Sequence, residues 1–198
     1  VLHEPGDIVT LAGTRFVVLD VERRGSLPDS LFLLALESVG ESEFGSSNNY
    51  AESDLKKAVD EWLEDMDKKG LDNAKLIPRE IDLTTLDGSG RYGKLSVKAA
   101  PLTLDEARKY ADIIPNAERW CWLATGWSGP SKSDGDCALY VRSNGDWNGS
   151  YCSNSLGIRP ALKVPSILFE DSEAGLDLSK IPTDDLLQEI HRRLAEKA

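Results

Sequence analysis

The chain has 198 residues, with 34 acidic and 23 basic side chains and a formal net charge of −11 at pH 7. This length can form one ordinary domain, or two small ones, without disulfides or metals, and the acidic balance disfavours nucleic acids and anionic membranes as partners. The hydrophobic content of 40% and the lack of an apolar run of ~18–20 residues predict a folded, water-facing protein with no membrane insertion.

The first part of the chain predicts an antiparallel sheet. Residues 1–5 lack the pattern of a signal peptide. Two runs rich in β-branched residues, 7–11 and 14–21, are separated by Ala12-Gly13, which is typical of a hairpin. A third strand is expected at 31–36.

Two helices are predicted next. Ser53 is a suitable N-cap for a helix over 53–68, which ends before Gly70 and carries an apolar stripe. The stripe comprises Leu55, Val59, Trp62, Leu63 and Met66. Thr103 and Glu106 have the spacing of a capping box, which predicts a second helix over 104–113.

The remainder divides at Pro165. Residues 118–164 predict short strands with polar, glycine-rich loops and complete a first domain over 1–165. Residues 166–198 predict an acidic connector and an amphipathic C-terminal helix beginning near Thr183, with acidic residues in its first turn and arginines in its last. The apolar stripe of this helix docks either on its own domain or, through residues 183–197, on a partner or a larger assembly.

The number and positions of the histidines and cysteines disfavour several kinds of catalytic and metal site. His3 and His191 lie in opposite terminal segments, which disfavours histidine-based triads and zinc clusters. Cys121, Cys137 and Cys152 have no C-x-x-C spacing, so a zinc knuckle or a thioredoxin-type pair is not expected.

Asn144-Gly145 is the strongest hairpin signal of the chain. A type I′ turn at these two residues places residues whose numbers sum to 289 opposite each other. Cys137 then lies opposite Cys152, which leaves two alternatives open, a cross-strand disulfide or two buried thiols.

The same register predicts a binding surface. It places Tyr140, Tyr151 and a stacked Trp147–Arg142 pair on one face, whereas Leu139 and Val141 point to the core. Polar contacts are expected from short amide and carboxylate side chains: Asn144, Asp146, Asn148 and Asn154. Aromatic residues among such groups are typical of recognition surfaces, although they also occur packed beneath loops.

Two further motifs are weaker. Residues 88–93 satisfy G-x-G-x-x-G, but no helical pattern follows, so a loop is expected rather than a dinucleotide site. Residues 144–149 resemble the start of an EF-hand, but Ser155 stands where the bidentate glutamate belongs. No cofactor is predicted. Calcium could still bind at a site that is not an EF-hand, with Asp134, Asp136 and Asp146 as candidate ligands.

The order of several motifs is more specific than any one of them. They are Gly6-Asp7-Ile8-Val9 with Phe16-Val17-Val18-Leu19, Glu61-Trp62-Leu63, Leu102-Thr103-Leu104-Asp105-Glu106-Ala107, Trp120-Cys121-Trp122-Leu123-Ala124-Thr125, Ala138-Leu139-Tyr140-Val141 with Gly145, and Gly157-Ile158-Arg159-Pro160-Ala161-Leu162. Over about residues 5 to 165 the chain resembles a bacterial and phage family of uncharacterised domains with a C-type-lectin-like fold. Phe16 and Ala124 depart from the family's usual tryptophan and arginine.

The resemblance implies an α+β domain with short antiparallel strands, two helices and long loops, in which the Trp120 strand and the Gly157–Ala161 strand share a central sheet. Related folds include formylglycine-generating enzymes and receptor-binding proteins that retroelements diversify near the closing region. The resulting hypotheses are a non-catalytic module that binds a protein or glycan, an oxidase using a cysteine pair, and a decoration protein assembled through the C-terminal helix. The first hypothesis implies a secreted, surface-associated or virion-associated protein.

Overall fold

A computed structural model describes residues 3–25, 27–130, 134–169 and the single position 187. It has a mixed α+β architecture with mostly antiparallel sheets and two α-helices, which confirms the predicted fold class at this level. The predicted connector and C-terminal helix lie, apart from position 187, outside the described residues. None of the helices in the described residues has the length and hydropathy of a membrane-spanning segment.

The described residues form twelve β-strands and two α-helices. They are β1 (Ile8–Leu11), β2 (Thr14–Arg24), β3 (Leu27–Ala35), β4 (Glu41–Glu43), α1 (Asp54–Lys68), β5 (Arg79–Asp82), β6 (Lys94–Val97), β7 (Ala99–Ala100), α2 (Leu104–Lys109), β8 (Cys121–Gly126), β9 (Cys137–Val141), β10 (Trp147–Tyr151), β11 (Ser155–Gly157) and β12 (Ala161–Pro165).

The first sheet has the order β1-β2-β3-β12-β7. The predicted hairpin between β1 and β2 is confirmed: Ala12 and Gly13 have φ values of 46° and 80°, as a two-residue type I′ turn requires. The third strand is also present and begins earlier than predicted, at Leu27.

The second sheet has the order β10-β9-β8-β11-β4. The implied sharing of one central sheet by the Trp120 strand and the Gly157–Ala161 segment is correct for Gly157 and wrong for Ala161. Only Gly157 of β11 pairs with β8, whereas β12 lies in the first sheet beside β3. The segment between β11 and β12, which contains Arg159, therefore connects the two sheets.

Both predicted helices are confirmed, with one different end. The Ser53 hydroxyl accepts a hydrogen bond from the backbone N–H of Lys56 and caps α1, and the capping box of Thr103 and Glu106 opens α2. Helix α2 stops at Lys109 rather than 113. Tyr110 is its C-cap, with φ −108° and ψ 16°, and the N–H groups of Ala111 and Ile113 donate to the carbonyls three residues before them, as in turns.

The first sheet is covered on both faces. In β2, Phe16 and Val18 join the larger hydrophobic cluster with α1, whereas Val17 and Leu19 join a smaller cluster with α2. Successive strand residues point to opposite faces, so a strand covered on both sides is apolar throughout. The smaller cluster also includes side chains from β8 and β9, which brings α2 and the second sheet together.

Candidate functional site

The hairpin of β9 and β10 forms with a different register from the predicted one. Val141 pairs with Trp147, so facing residues sum to 288 rather than 289. The turn is a three-residue loop over 143–145: the N–H of Gly145 donates to the carbonyl of Arg142 at 2.9 Å, and only Gly145 of the Asn-Gly pair has a positive φ, +88°. A type I turn followed by a left-handed residue produces this arrangement.

A local hydrogen bond explains the choice of turn. The side-chain oxygen of Asn144 accepts the backbone N–H of Asp146 at 3.1 Å, and its Nδ2 donates to the Asp146 carboxylate at 2.7 Å. Asparagine forms such turns readily with the backbone two residues ahead. In a type I′ turn, Asn144 would need a positive φ.

The shift of one residue exchanges the faces of β10. Trp147 and Tyr151 lie on the same side as Val141 and Leu139, opposite to Tyr140 and Arg142, so the predicted Trp147–Arg142 pair is wrong. The guanidinium of Arg108, from α2, lies 5.6 Å from the Trp147 ring. That of Arg142 lies 5.7 Å from the ring of Trp120.

The structure divides the remaining predicted residues between surface and interior. Tyr140 is buried and stacks on Trp120, with 5.2 Å between ring centroids. Tyr151, Asn144, Asp146 and Asn154 are exposed, and Nδ2 of Asn154 donates to Ser150. Asn148 is half-buried, and its side-chain oxygen accepts the N–H of Gly149.

The three cysteines are free thiols. Cys137 pairs with Tyr151, one position before Cys152, so the side chains of Cys137 and Cys152 leave opposite faces of the hairpin and the suggested cross-strand disulfide does not form. Burial raises the pKa of Cys121 to about 11 and that of Cys152 to about 12. Both thiols are therefore protonated at neutral pH.

The predicted calcium ligands do not form a cluster. Asp134 and Asp136 are exposed, Asp146 is bound to Asn144, and the described residues contain no group of three or more histidine, cysteine or acidic residues placed to hold a metal ion. Calcium binding stays a prediction from the sequence.

Beside the hairpin, a cleft opens between the turn at 142–147 and the segment at 111–117. It encloses about 100 Å³. Its inner wall consists of buried apolar side chains of the smaller cluster: Leu34, Leu102, Ala107 and Leu123. Ile114, Pro115 and Val141 extend the apolar wall, and Trp147 and Arg142 line the outer part. We call this space the hairpin cleft.

Arg159 lines the buried part of the hairpin cleft and is only 6% exposed. Its Nε donates to the carbonyl of Ala35 at 2.7 Å, and its Nη1 donates to the carbonyl of Pro115 at 3.0 Å. Its Nη2 is buried and has no hydrogen-bond partner. Burial lowers the pKa of Arg159, but guanidinium groups remain protonated in proteins.

The surroundings of the cleft are more basic than the chain as a whole. Arg142 lines it, and Arg108 lies against Trp147. Arg108 has an exposed ion pair with Asp105 at 3.3 Å, which contributes little in water. No described acidic group lies within ion-pair distance of Arg159 or Arg142.

Comparison with models of known protein families, with curated proteins and with solved structures finds no match for this chain.

Three residues of this region were not predicted as site residues. Trp120 lies immediately before β8, Arg108 lies in α2, and Arg159 lies between β11 and β12. A signal existed for Arg159, because a charged residue between Ile158 and Pro160 in an otherwise apolar run indicates a buried charge. The proximity of Arg108 to Trp147 depends on the register of β10 and had no signal in the sequence.

Proposed function

We propose that the protein is a non-catalytic recognition module that binds a protein or glycan ligand through the hairpin at 140–155 and the surface around it. The observation that supports this most directly is the exposure of Trp147 (40%), Trp120 (47%) and Tyr151 (62%). They are the exposed large aromatic side chains of the described residues, and all three lie on or beside β8 and β10. Trp147 and Tyr151 share one face of the hairpin, whereas Trp120 stacks on Tyr140 at the other face. Aromatic side chains offer contact area at low entropic cost, so the two that are exposed on one face favour a binding role.

The polar groups of the hairpin support the same function. Asn144, Asp146 and Asn154 are exposed at its two ends. The hydrogen bonds of Asn144 with Asp146 and of Asn154 with Ser150 use only part of their hydrogen-bonding capacity. Hydrogen bonds from such groups supply specificity, whereas the aromatic rings supply most of the buried area.

We also propose that the α+β domain has a C-type-lectin-like fold and that a retroelement diversifies its closing region. Its support is the order of the sequence motifs together with the composition of residues 143–155, which is rich in serine, asparagine and glycine. Genomic context tests this part: we expect a neighbouring reverse-transcriptase gene and a near-repeat of the DNA encoding residues 143–162. Their absence would contradict diversification.

The binding function is tested by alanine substitution after a screen of glycans and proteins has identified a ligand. We expect Trp147→Ala and Tyr151→Ala each to weaken binding at least tenfold, because truncating an aromatic anchor commonly costs ~2 kcal/mol or more. Ile8→Ala is the matched control, since Ile8 is 50% exposed but lies in β1 of the other sheet. Binding that is unchanged in both aromatic variants would refute this surface.

A further inference from the structure

The hairpin cleft contains a buried cation whose hydrogen-bonding capacity is incomplete. Two of the donor nitrogens of Arg159 bind main-chain carbonyls, which are neutral, and Nη2 binds nothing. Leaving a buried donor unsatisfied is costly, and an unpaired buried charge is more so. The site therefore favours a ligand that brings a negatively charged acceptor.

The walls of the cleft define the other part of such a ligand. Leu34, Leu102 and Leu123 are each less than 5% exposed, and they line the same buried space as Arg159. A polar ligand body would lose its hydration against these side chains without gaining hydrogen bonds. An apolar group would bury its surface favourably there.

The size of the cleft limits that group. Its volume of about 100 Å³ is below the ~300–1,000 Å³ of pockets that hold drug-sized ligands. The space fits a branched aliphatic group of the size of one side chain. Trp147 and Arg142 line the outer part, so they adjoin whatever continues outward from this group.

Resting on the proposed function, we propose that the hairpin cleft binds a carboxylate attached to a small apolar group, with the carboxylate on Nη2 of Arg159 and the apolar group between Leu102, Leu123 and Val141. The carboxyl-terminal residue of a protein ligand, ending in an aliphatic side chain, has this chemistry. A free short-chain carboxylic acid has the same chemistry. Charge complementarity extends outward, because Arg142 also lines the cleft and attracts an anion toward the opening.

The experiment uses the full chain and isothermal titration calorimetry with three probes. They are a hexapeptide ending in leucine with a free carboxylate, the same hexapeptide with a carboxyl-terminal amide, and 4-methylpentanoate. We expect the free peptide acid to bind at millimolar concentration or below and the amide to bind at least tenfold more weakly, because a hydrogen bond to a charged group contributes ~1.5–3 kcal/mol. Binding of 4-methylpentanoate as tightly as the peptide acid would identify the free acid as the source of the carboxylate.

Two variants locate the binding. Arg159→Gln removes the cation, and we expect it to weaken binding of the peptide acid at least tenfold. Ala111→Phe places a ring in the cleft from an exposed lining position, leaves Arg159 intact, and should block the probe as well. Lys68→Gln, at the distant end of α1, is the control for loss of one surface charge and should bind normally. If Arg159→Gln fails to fold, the comparison of the peptide acid with the amide and the effect of Ala111→Phe still test whether the cleft binds the carboxylate.

Three results would overturn the inference: no binding of either acid, equal binding of acid and amide, or full binding by Ala111→Phe. The first result would indicate that a buried water molecule, rather than a carboxylate, accepts the hydrogen bond from Nη2 of Arg159. These failures are distinct from failure of the proposed function, which is judged by the effect of Trp147→Ala and Tyr151→Ala on a ligand found by the screen. Loss of that ligand in the aromatic variants, without binding of the acids, would retain the recognition function and reject the carboxylate.

Discussion

At the scale of single residues, buried polar groups differ sharply in how well they are satisfied. Asn48 is 1% exposed and fully engaged: its Nδ2 donates to the carbonyls of Ser128 and Cys137, and its Oδ1 accepts the hydroxyl of Tyr92 at 2.6 Å. The hydroxyl of Tyr50 is buried with no partner. Such a group reduces stability, because it loses its hydration without replacement.

Exchanging tyrosine for phenylalanine tests this difference. We expect Tyr50→Phe to be as stable as the wild type or up to ~1 kcal/mol more stable, since it removes an unsatisfied hydroxyl. Tyr92→Phe is the matched change at a bonded hydroxyl and should cost about 0.5–1.5 kcal/mol, because it leaves Oδ1 of Asn48 without that donor. Urea unfolding measures both. A clear loss of stability in Tyr50→Phe would show that its hydroxyl has a partner.

At the scale of elements, the hairpin shows which part of a turn a short sequence can predict. The Asn144-Gly145 pair correctly predicted a reversal between two strands. It did not predict the register, because the same pair fits a two-residue loop and a three-residue loop, and the hydrogen bond from the N–H of Asp146 to Asn144 favours the second. The shift of one residue places Trp147 on the face of the hairpin opposite to Tyr140, where it lines the hairpin cleft.

The packing of the hairpin predicts the effect of a substitution at Gly149. A Cβ there would lie 2.4 Å from Cε3 of Trp127, so the indole must move. We expect Gly149→Ala to destabilise the protein by about 1–3 kcal/mol, as overpacking does. Gly90→Ala is the control, because the nearest atom to its Cβ is 3.9 Å away, and its effect should be within ~0.5 kcal/mol. Equal thermal midpoints for the two variants would contradict this packing.

At the scale of the whole molecule, folding buries two thiols and a phenol. Cys152 and Tyr50 lie in the larger hydrophobic cluster, and Cys121 is 4% exposed. Burial raises the pKa of Cys121 to about 11 and of Cys152 to about 12, and it raises the pKa of Tyr50 as well. In the unfolded chain these groups titrate near their ordinary values. Between the two sets of pKa values the unfolded state binds fewer protons than the native state.

Stability should consequently fall on the alkaline side. We expect the free energy of unfolding to be nearly constant from pH 7 to pH 8 and to decrease above about pH 9, where the unfolded thiols lose their protons. Urea unfolding at a series of pH values measures this dependence. Replacing Cys121 and Cys152 together by alanine should reduce the slope, whereas replacing the less buried Cys137 should have a smaller effect. An identical slope in all variants would assign the loss to other groups.

Features that depend on neighbours along the chain were predictable. The caps at Ser53 and Thr103, the turn at Ala12-Gly13 and the apolar stripe of α1 all involve residues within a few positions of each other. A short stretch of sequence contains all the residues of each such interaction, so these patterns were sufficient to predict the α+β class and the limits of α1.

The hairpin cleft depended on contacts that no short window contains. Arg159 reaches the carbonyl of Ala35 across 124 positions of the chain, and Arg108 reaches Trp147 only because β10 has one particular register. A strand pattern of period two cannot choose between registers when both faces of the strand pair carry apolar groups, as they do here. Packing of the two sheets and α2 made that choice, and with it determined which aromatic and basic side chains surround the cleft.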